Sequence, residues 1–309
     1  MGMAGQRASI KVERRKKGSL DELTVRPRTL SRYKRAMLAF CLYLENLTQP
    51  KPDSAEGLDK ALSQYLCALW EEGDPMSYAA DALSAASYFC PWARKRLPSA
   101  WSLLGAWRKH ELPNRAPPFS LHVVQALAGA AKAKRYTRVG VALLLAFHCL
   151  LRTGELLTAK ARGISIHGLT GVLILPSTKS GHRTGAKESV TITDQGLLAM
   201  LTTLISTLPP HEPILGMSNG QFRKFFAALL STLGLHDWGF RPYSLRRGGA
   251  TGHFQQHGSL DLTAVRGRWN SQRTARIYIN EALTILADIQ LSSHQRKLLA
   301  KYRAIWGWI

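Results

Sequence analysis

Arg152 directly follows the apolar run Val141–Leu151, in the string LLRTGELL. Helix continuity carries its guanidinium into or beside a core, where an arginine needs a partner. Glu155, three residues on, lies on the same helical face and can supply one. The two read either as a structural ion pair or as an arginine held rigid to face a phosphate, whose geometry a guanidinium fork matches. A second arginine pair, Arg246 and Arg247, opens the small-residue stretch of FRPYSLRRGGAT, with Ser244 placed to cap a helix there. Farther on, GRWNSQRTARIYIN sets Trp269 and Tyr278 nine positions apart among Arg266, Arg268, Arg273 and Arg276. Lys179 lies in LPSTKSGHR, in a predicted hairpin loop, where a lysine taken alone is usually solvated.

The elements that must position these residues fall into two compositionally distinct regions. The first 35 residues hold eleven Lys/Arg against Glu13, Asp21 and Glu22, with Arg14-Arg15-Lys16-Lys17 the densest run. Residues 1–27 read as a basic flexible arm, with a nuclear import signal or an arm lying on nucleic acid as the other readings. Helical periodicity over 28–111 gives an all-α unit of about four helices, marked by Leu30, Tyr33, Met37, Phe40, Cys41, Leu44 and Leu47 on the first. Residues 112–119, rich in proline, read as a linker. From Ser120 the chain is mixed: helices over roughly 120–133 and 135–159, a hairpin of Gly171–Leu175 and Glu188–Ile192, then helices from Asp194 onward. The fold class is therefore mainly α with a small β-hairpin or sheet, and no internal repeat is visible.

Composition says what such a molecule meets. The chain has 309 residues and a formal net charge of +22, with 45% hydrophobic residues, enough for a sizeable core. A charge of this size points to a polyanion, most often nucleic acid, otherwise an anionic membrane surface. The longest apolar run, Val139–Leu151, is too short to cross a bilayer, and the basic N-terminus lacks a signal-like apolar stretch, so no membrane role is expected. The four cysteines, Cys41, Cys67, Cys90 and Cys149, are widely spaced in helix-like segments, which favours buried reduced thiols in an intracellular protein over disulfides or zinc.

Taken together, the residues resemble the tyrosine recombinases, the phage-integrase family. Arg152 in RTGEL matches that family's first arginine and Glu155 its supporting acid; Lys179 matches the hairpin lysine, Arg246 the second arginine, Trp269 the His/Trp position and Tyr278, in ARIYIN, the nucleophile. SLRRGGAT and GRW look most like recombinases of DIRS-type retrotransposons and related eukaryotic elements. The resemblance implies a helical core-binding domain at 28–111 and a catalytic domain at 120–309. It implies site-specific DNA cleavage and rejoining through a 3′-phosphotyrosyl link, with Arg152 and Arg246 neutralising charge on the phosphate, Lys179 protonating the departing 5′-oxygen and Trp269 donating a hydrogen bond. One position departs: Tyr243 stands where the family's box has histidine, and a phenol with an ordinary pKa near 10 is a poor base at neutral pH.

Arg247, Arg268, Arg32, Lys34 and Arg35 are expected to contact DNA. The partner is double-stranded DNA, met as a homo-oligomer, a tetramer, with no metal and no small-molecule cofactor; the location is the nucleus, or else a bacterial cytoplasm. His253 and His257 in HFQQH form only half a zinc site, Tyr302 lacks a tryptophan at the right spacing, and the apolar C-terminal stretch packs on its own domain or reaches a neighbouring protomer. Two other functions stay open: a non-catalytic DNA-binding relative, domesticated or decayed, and a type IB topoisomerase. Duplex DNA affinity should fall by roughly a thousandfold or more from about 50 to about 200 mM salt, as released counterions require. Fluorescence anisotropy on a labelled duplex checks this, and a nearly flat salt response would refute a phosphate-binding surface.

Overall fold

The computed structural model describes residues 3–17, 19, 20, 24–175 and 188–308. The chain divides into two compact units, Met1–Asn114 and Arg115–Ile309.

The first unit is helical: α1 Met3–Lys17, α2 Pro27–Asn46, α3 Ala55–Glu71, α4 Met76–Phe89 and α5 Pro98–His110. Residues 3–17, within the stretch read from sequence as a flexible arm, are thus helical. Proline opens both α2 and α5, where its missing N–H costs nothing. Asp59 on α3, 6% exposed, accepts from the backbone N–H of Ser99 at 3.0 Å and of Ala100 at 2.9 Å, closing the first turn of α5 with a negative charge. Phe40, Leu44, Leu62, Leu66, Leu83 and Leu104 form the core that these helices share.

The second unit packs α6 Leu121–Ala133 and α7 Thr137–His148 as its buried centre. The periodicity from 135 predicts one helix to 159, but the chain breaks after His148 and resumes as the short α8, Thr153–Thr158. The break is a left-handed helix terminus at Leu150 (φ 49°), where Leu150 N–H bonds Phe147 O and Leu151 N–H bonds Ala146 O. Glycine is the usual residue in that conformation, so no glycine warns of it in the sequence.

Three antiparallel strands follow in the order β1–β2–β3: β1 Ile164–His167, β2 Thr170–Leu175 and β3 Glu188–Ile192. β2 and β3 are the hairpin read from the sequence, pairing Gly171 with Ile192 and Leu175 with Glu188. β1 is the added strand. The remaining helices are α9 Gln195–Thr207, α10 Asn219–Thr232, α11 Tyr243–His257, α12 Leu260–Gly267, α13 Gln272–Arg276, α14 Glu281–Gln290 and α15 Ser293–Ala304. The architecture is mainly α with a small sheet, as the sequence indicates.

Two close approaches seat the helices. A Cβ at Gly249 of α11 would lie 2.1 Å from the carbonyl oxygen of Phe147, so α11 can run against the end of α7 only without a side chain there. A Cβ at Gly129 of α6 would lie 1.8 Å from the carbonyl oxygen of Tyr302, which sets α15 on the chain's own second unit. Lys132 supports that seat, standing 4.1 Å over the Trp306 ring and donating to Ile305 O at 3.3 Å. The C-terminal half of the expected linker is also fixed in this unit: Phe119 is buried and stacks on Phe240 at 4.2 Å. All four cysteines are unbridged; Cys149 is buried, but Cys67 is exposed, against the expectation of uniformly buried thiols, because it lies on the outer face of α3. No helix among the described residues is long and apolar enough to cross a membrane.

Gly129→Ala should destabilise the second unit by about 1–3 kcal/mol through overpacking against α15. A thermal melt reads this as a drop of about 2–4 °C for each kcal/mol; an unchanged Tm would show that α15 is not seated there. His253 on α11 gives a pH test. Burial first, then the charges of His257 and Arg266, bring its pKa down from 6.5 to about 4. A depressed pKa means that the unfolded chain binds the proton more readily, so this stability is present above pH 6.5 and is lost as pH falls through about 4. In melts recorded from pH 7 to 4, His253→Gln should flatten the acid decline; the same slope as the parent would exclude His253 as its source.

Candidate active site

The site is built around the break between α7 and α8. Arg246, on α11, is fully buried, and its guanidinium donates to Leu150 O and to Gly267 O, the latter at 2.6 Å. Arg268 donates to Cys149 O at 3.3 Å and to Leu150 O at 3.4 Å. Two arginines thus converge on the carbonyl of the left-handed Leu150. The turn they hold delivers Arg152 as the N-cap residue of α8.

Glu155 is the hub of charge. It is 4% exposed and accepts from Arg152 Nη1 at 2.6 Å, Arg268 Nη2 at 2.6 Å and the backbone N–H of Arg152 at 2.9 Å. The last bond caps α8 and presets the arginine. Arg268 Nε also lies 3.3 Å from Glu188 Oε2 at the start of β3. A carboxylate this deep is tolerable only with such partners, and the loss of one leaves an uncompensated charge.

Tyr278 follows the five-residue α13 and donates its N–H to Ala275 O at 2.9 Å. Asn280 N–H bonds Thr251 Oγ1 on α11 at 3.1 Å, tying the chain beyond the tyrosine to the helix that carries Arg246. The Tyr278 ring lies 4.4 Å from the Trp269 ring and 5.6 Å from that of Tyr243. The Arg246 guanidinium stands 4.6 Å from the Trp269 ring and 5.3 Å from the Tyr278 ring. Trp269 is buried, and its indole N–H, which meets no acceptor at full hydrogen-bond geometry among the described residues, is a donor available to the Tyr278 oxygen.

The electrostatics ease Tyr278 toward ionisation. Burial works against the phenolate, but the hydroxyl of Tyr243, the charge of Arg246, the Trp269 indole and the charge of Arg152 outweigh it and bring the pKa below 10. Tyr243 moves the other way: burial, then its hydrogen bond to Tyr278 and that residue's negative charge, push its phenol well above 10 against the opposing Arg246 and Arg247. One phenol of the pair keeps its proton and the other is eased toward losing it. Burial, with repulsion from Arg152 and Arg268, lowers Arg246 to about 10, which leaves it charged at neutral pH.

The structure therefore brings Arg152, Glu155, Arg246, Trp269, Tyr278 and Tyr243 into one cluster. Lys179 lies outside the described residues. Arg247 and Arg268, expected to contact DNA, turn inward instead: Arg247 is 4% exposed and donates to Ala116 O at 2.8 Å, and Arg268 is spent on Glu155 and Glu188. Arg32 is paired with Asp81, linking α2 to α4, while Lys34 and Arg35 on α2 are exposed. Sequence reasoning missed Glu188 and the inward role of Arg268, for neither has a spacing signal. His253 and His257 lie with ring centres 4.4 Å apart, His253 meeting Thr263 Oγ1 at 3.0 Å. Among the described residues no three His, Cys, Asp or Glu side chains are grouped as a metal ion needs.

No protein-family model matches the chain, and no curated protein matches it. Solved structures do. The Tn1549 transposon integrase in complex with a circular intermediate DNA aligns with a TM-score of 0.60 at 11% identity, over 86% of this chain and 94% of that one. A lambda integrase dimer bound to a core site aligns at 0.57 and 17% identity, over 88% and 94%. The XerH site-specific recombinase bound to its difH substrate aligns at 0.53 and 14% identity, over 84% and 79%. At these identities the likeness is one of architecture, and it is consistent across the three: the chain has the helix-rich, small-sheet fold of the tyrosine recombinases and integrases.

Proposed function

We propose that this chain cuts and rejoins duplex DNA at specific sites, with Tyr278 as nucleophile. The observation that carries the reading is the Tyr278 ring set against Trp269 and the buried Arg246, with Arg152 preset by Glu155 beside them. The Tyr278 oxygen, its proton released to solvent, attacks a backbone phosphorus as the phenolate, the bond to the 5′-oxygen breaks, and a 3′-phosphotyrosyl link keeps the bond energy for rejoining. Arg152 and Arg246 meet the charge that grows on the non-bridging oxygens. Tyr243, with its pKa above 10, acts as a hydrogen-bond donor toward the Tyr278 oxygen and not as a base. Lys179 is the proposed acid for the departing 5′-oxygen. That three structural neighbours are recombinases or integrases captured on DNA supports DNA as the partner and recombination as the outcome. The exposed Lys34 and Arg35 are proposed to meet phosphate. Assembly as a homotetramer on DNA and a nuclear location complete the proposal.

The Tyr243 substitution favours one second reading, a DNA-binding relative that no longer cuts. A single experiment divides them. A suicide duplex, nicked so that the cleaved end diffuses away, should trap a covalent adduct that peptide mapping places on Tyr278. Tyr278→Phe should remove the adduct while changing DNA affinity by less than about threefold, because one hydroxyl carries the chemistry and little contact area. Tight binding by the parent without any adduct would replace the recombinase reading with the non-catalytic one.

A further inference from the structure

Arg268 spends its guanidinium on two carboxylates of the cluster, and its side chain is only 7% exposed. Its backbone is left-handed (φ 57°), a conformation in which glycine is unstrained, so a side chain is kept there at a cost. That side chain touches the site at several points: Glu155 Oε2 at 2.6 Å, Glu188 Oε2 at 3.3 Å, and the carbonyls of Cys149 and Leu150. Glu155 offers its other oxygen, Oε1, to Arg152. Arg152, Arg246 and Arg268 face Glu155 and Glu188, so the group carries one surplus positive charge; without Arg268 it carries none.

We propose that Arg268 is a positioning residue: by sharing Glu155 it keeps Arg152 from serving as sole counter-ion to a buried carboxylate, and so leaves the Arg152 charge for a bound phosphate. The inference rests on the reading of this cluster as a phosphodiester-cleaving site. Without Arg268, the Glu155 carboxylate draws the Arg152 fork onto itself, and the phosphate loses a donor it needs most as charge develops.

Three full-length variants test this: Arg268→Gln, Arg268→Gln with Glu155→Gln, and Arg152→Gln. Each is checked by circular dichroism, then measured for duplex affinity at several salt concentrations and for single-turnover adduct formation on saturating suicide duplex. Arg268→Gln should form the adduct about 100-fold more slowly, the scale of losing one charge-stabilising donor, and any loss of duplex affinity should be recovered when Glu155→Gln is added. Adding Glu155→Gln removes the carboxylate yet keeps an amide oxygen for the Arg152 N–H, and should restore at least about tenfold of the rate. Failure to restore overturns the proposal. So does weaker binding, with a salt slope shallower by about one, that Glu155→Gln leaves unrecovered, which makes Arg268 itself a phosphate contact.

If Arg268→Gln does not fold, the Arg268/Glu155/Glu188→Gln triple variant is compared with the Glu155/Glu188→Gln double variant. Rates within about tenfold of each other support the proposal, and a wider gap overturns it. If the parent forms no adduct, the proposed cleavage fails, and Arg268 is judged by affinity alone. Arg152→Gln should then weaken binding in the parent and not in the Arg268→Gln background. Equal weakening in both, or none in the parent, overturns the positioning role.

Discussion

The carbonyl oxygen of Leu150 is the point on which the second unit's site depends. α7 is apolar and buried from Val139 to Phe147, so it must end abruptly before a charged residue can reach the surface. It ends in a left-handed turn at a leucine, a conformation that costs about 1–2 kcal/mol for a residue with a Cβ. The side chain of Leu150 is fully buried and its carbonyl accepts from two arginines. Those contacts hold the turn, and the turn aims Arg152. The arginine that packs on the tyrosine and the residue that precedes the tryptophan therefore also shape the loop that carries the other arginine. Backbone geometry and charge placement are one construction here, not two.

The same economy runs through the tyrosine pair. A phenol beside two guanidiniums is already biased toward its ionised form, and a second phenol, kept protonated by burial, stabilises that form further. Histidine at position 243 would add a group that titrates near neutral pH. Tyrosine adds one that does not, so Tyr243 contributes a fixed donor whose state does not change around neutral pH. The tilted packing of Trp269 on Tyr278, with the Arg246 guanidinium against both rings, fixes the ring by packing and leaves the hydroxyl to electrostatics.

Much of this was legible in the sequence because it lies in local pattern. The four-helix periodicity of 28–111 and the β2–β3 hairpin are short-range signals, spacing and alternation, while the set Arg152, Arg246, Trp269 and Tyr278 was legible through its resemblance to the tyrosine recombinases. What escaped has no local signature. The break at Leu150 replaces the glycine that ordinarily marks such a turn. β1 is four residues long, too short for alternation to stand out. Arg247 and Arg268 look like surface cations in a chain of this charge, and only the fold shows that each is turned to a carbonyl or a carboxylate. Glu188 is one acid at a strand end, given meaning by an arginine eighty residues later.

The turn at Leu150 has a consequence for how the chain comes to be folded. The donors that hold its carbonyl lie 96 and 118 residues downstream. Closing loops of that length is an entropic cost met before the contacts can repay it, and contacts so distant along the chain form late. On a ribosome, α6 and α7 emerge and can pair long before Arg246 and Arg268 exist. The corner that aims Arg152 then has nothing to hold it, and a nascent chain carries the arginine, the glutamate and the helix without a working arrangement of them. The site is completed only after Arg246 and Arg268 have been made, so the aim of Arg152 is set by chain that follows it at a distance.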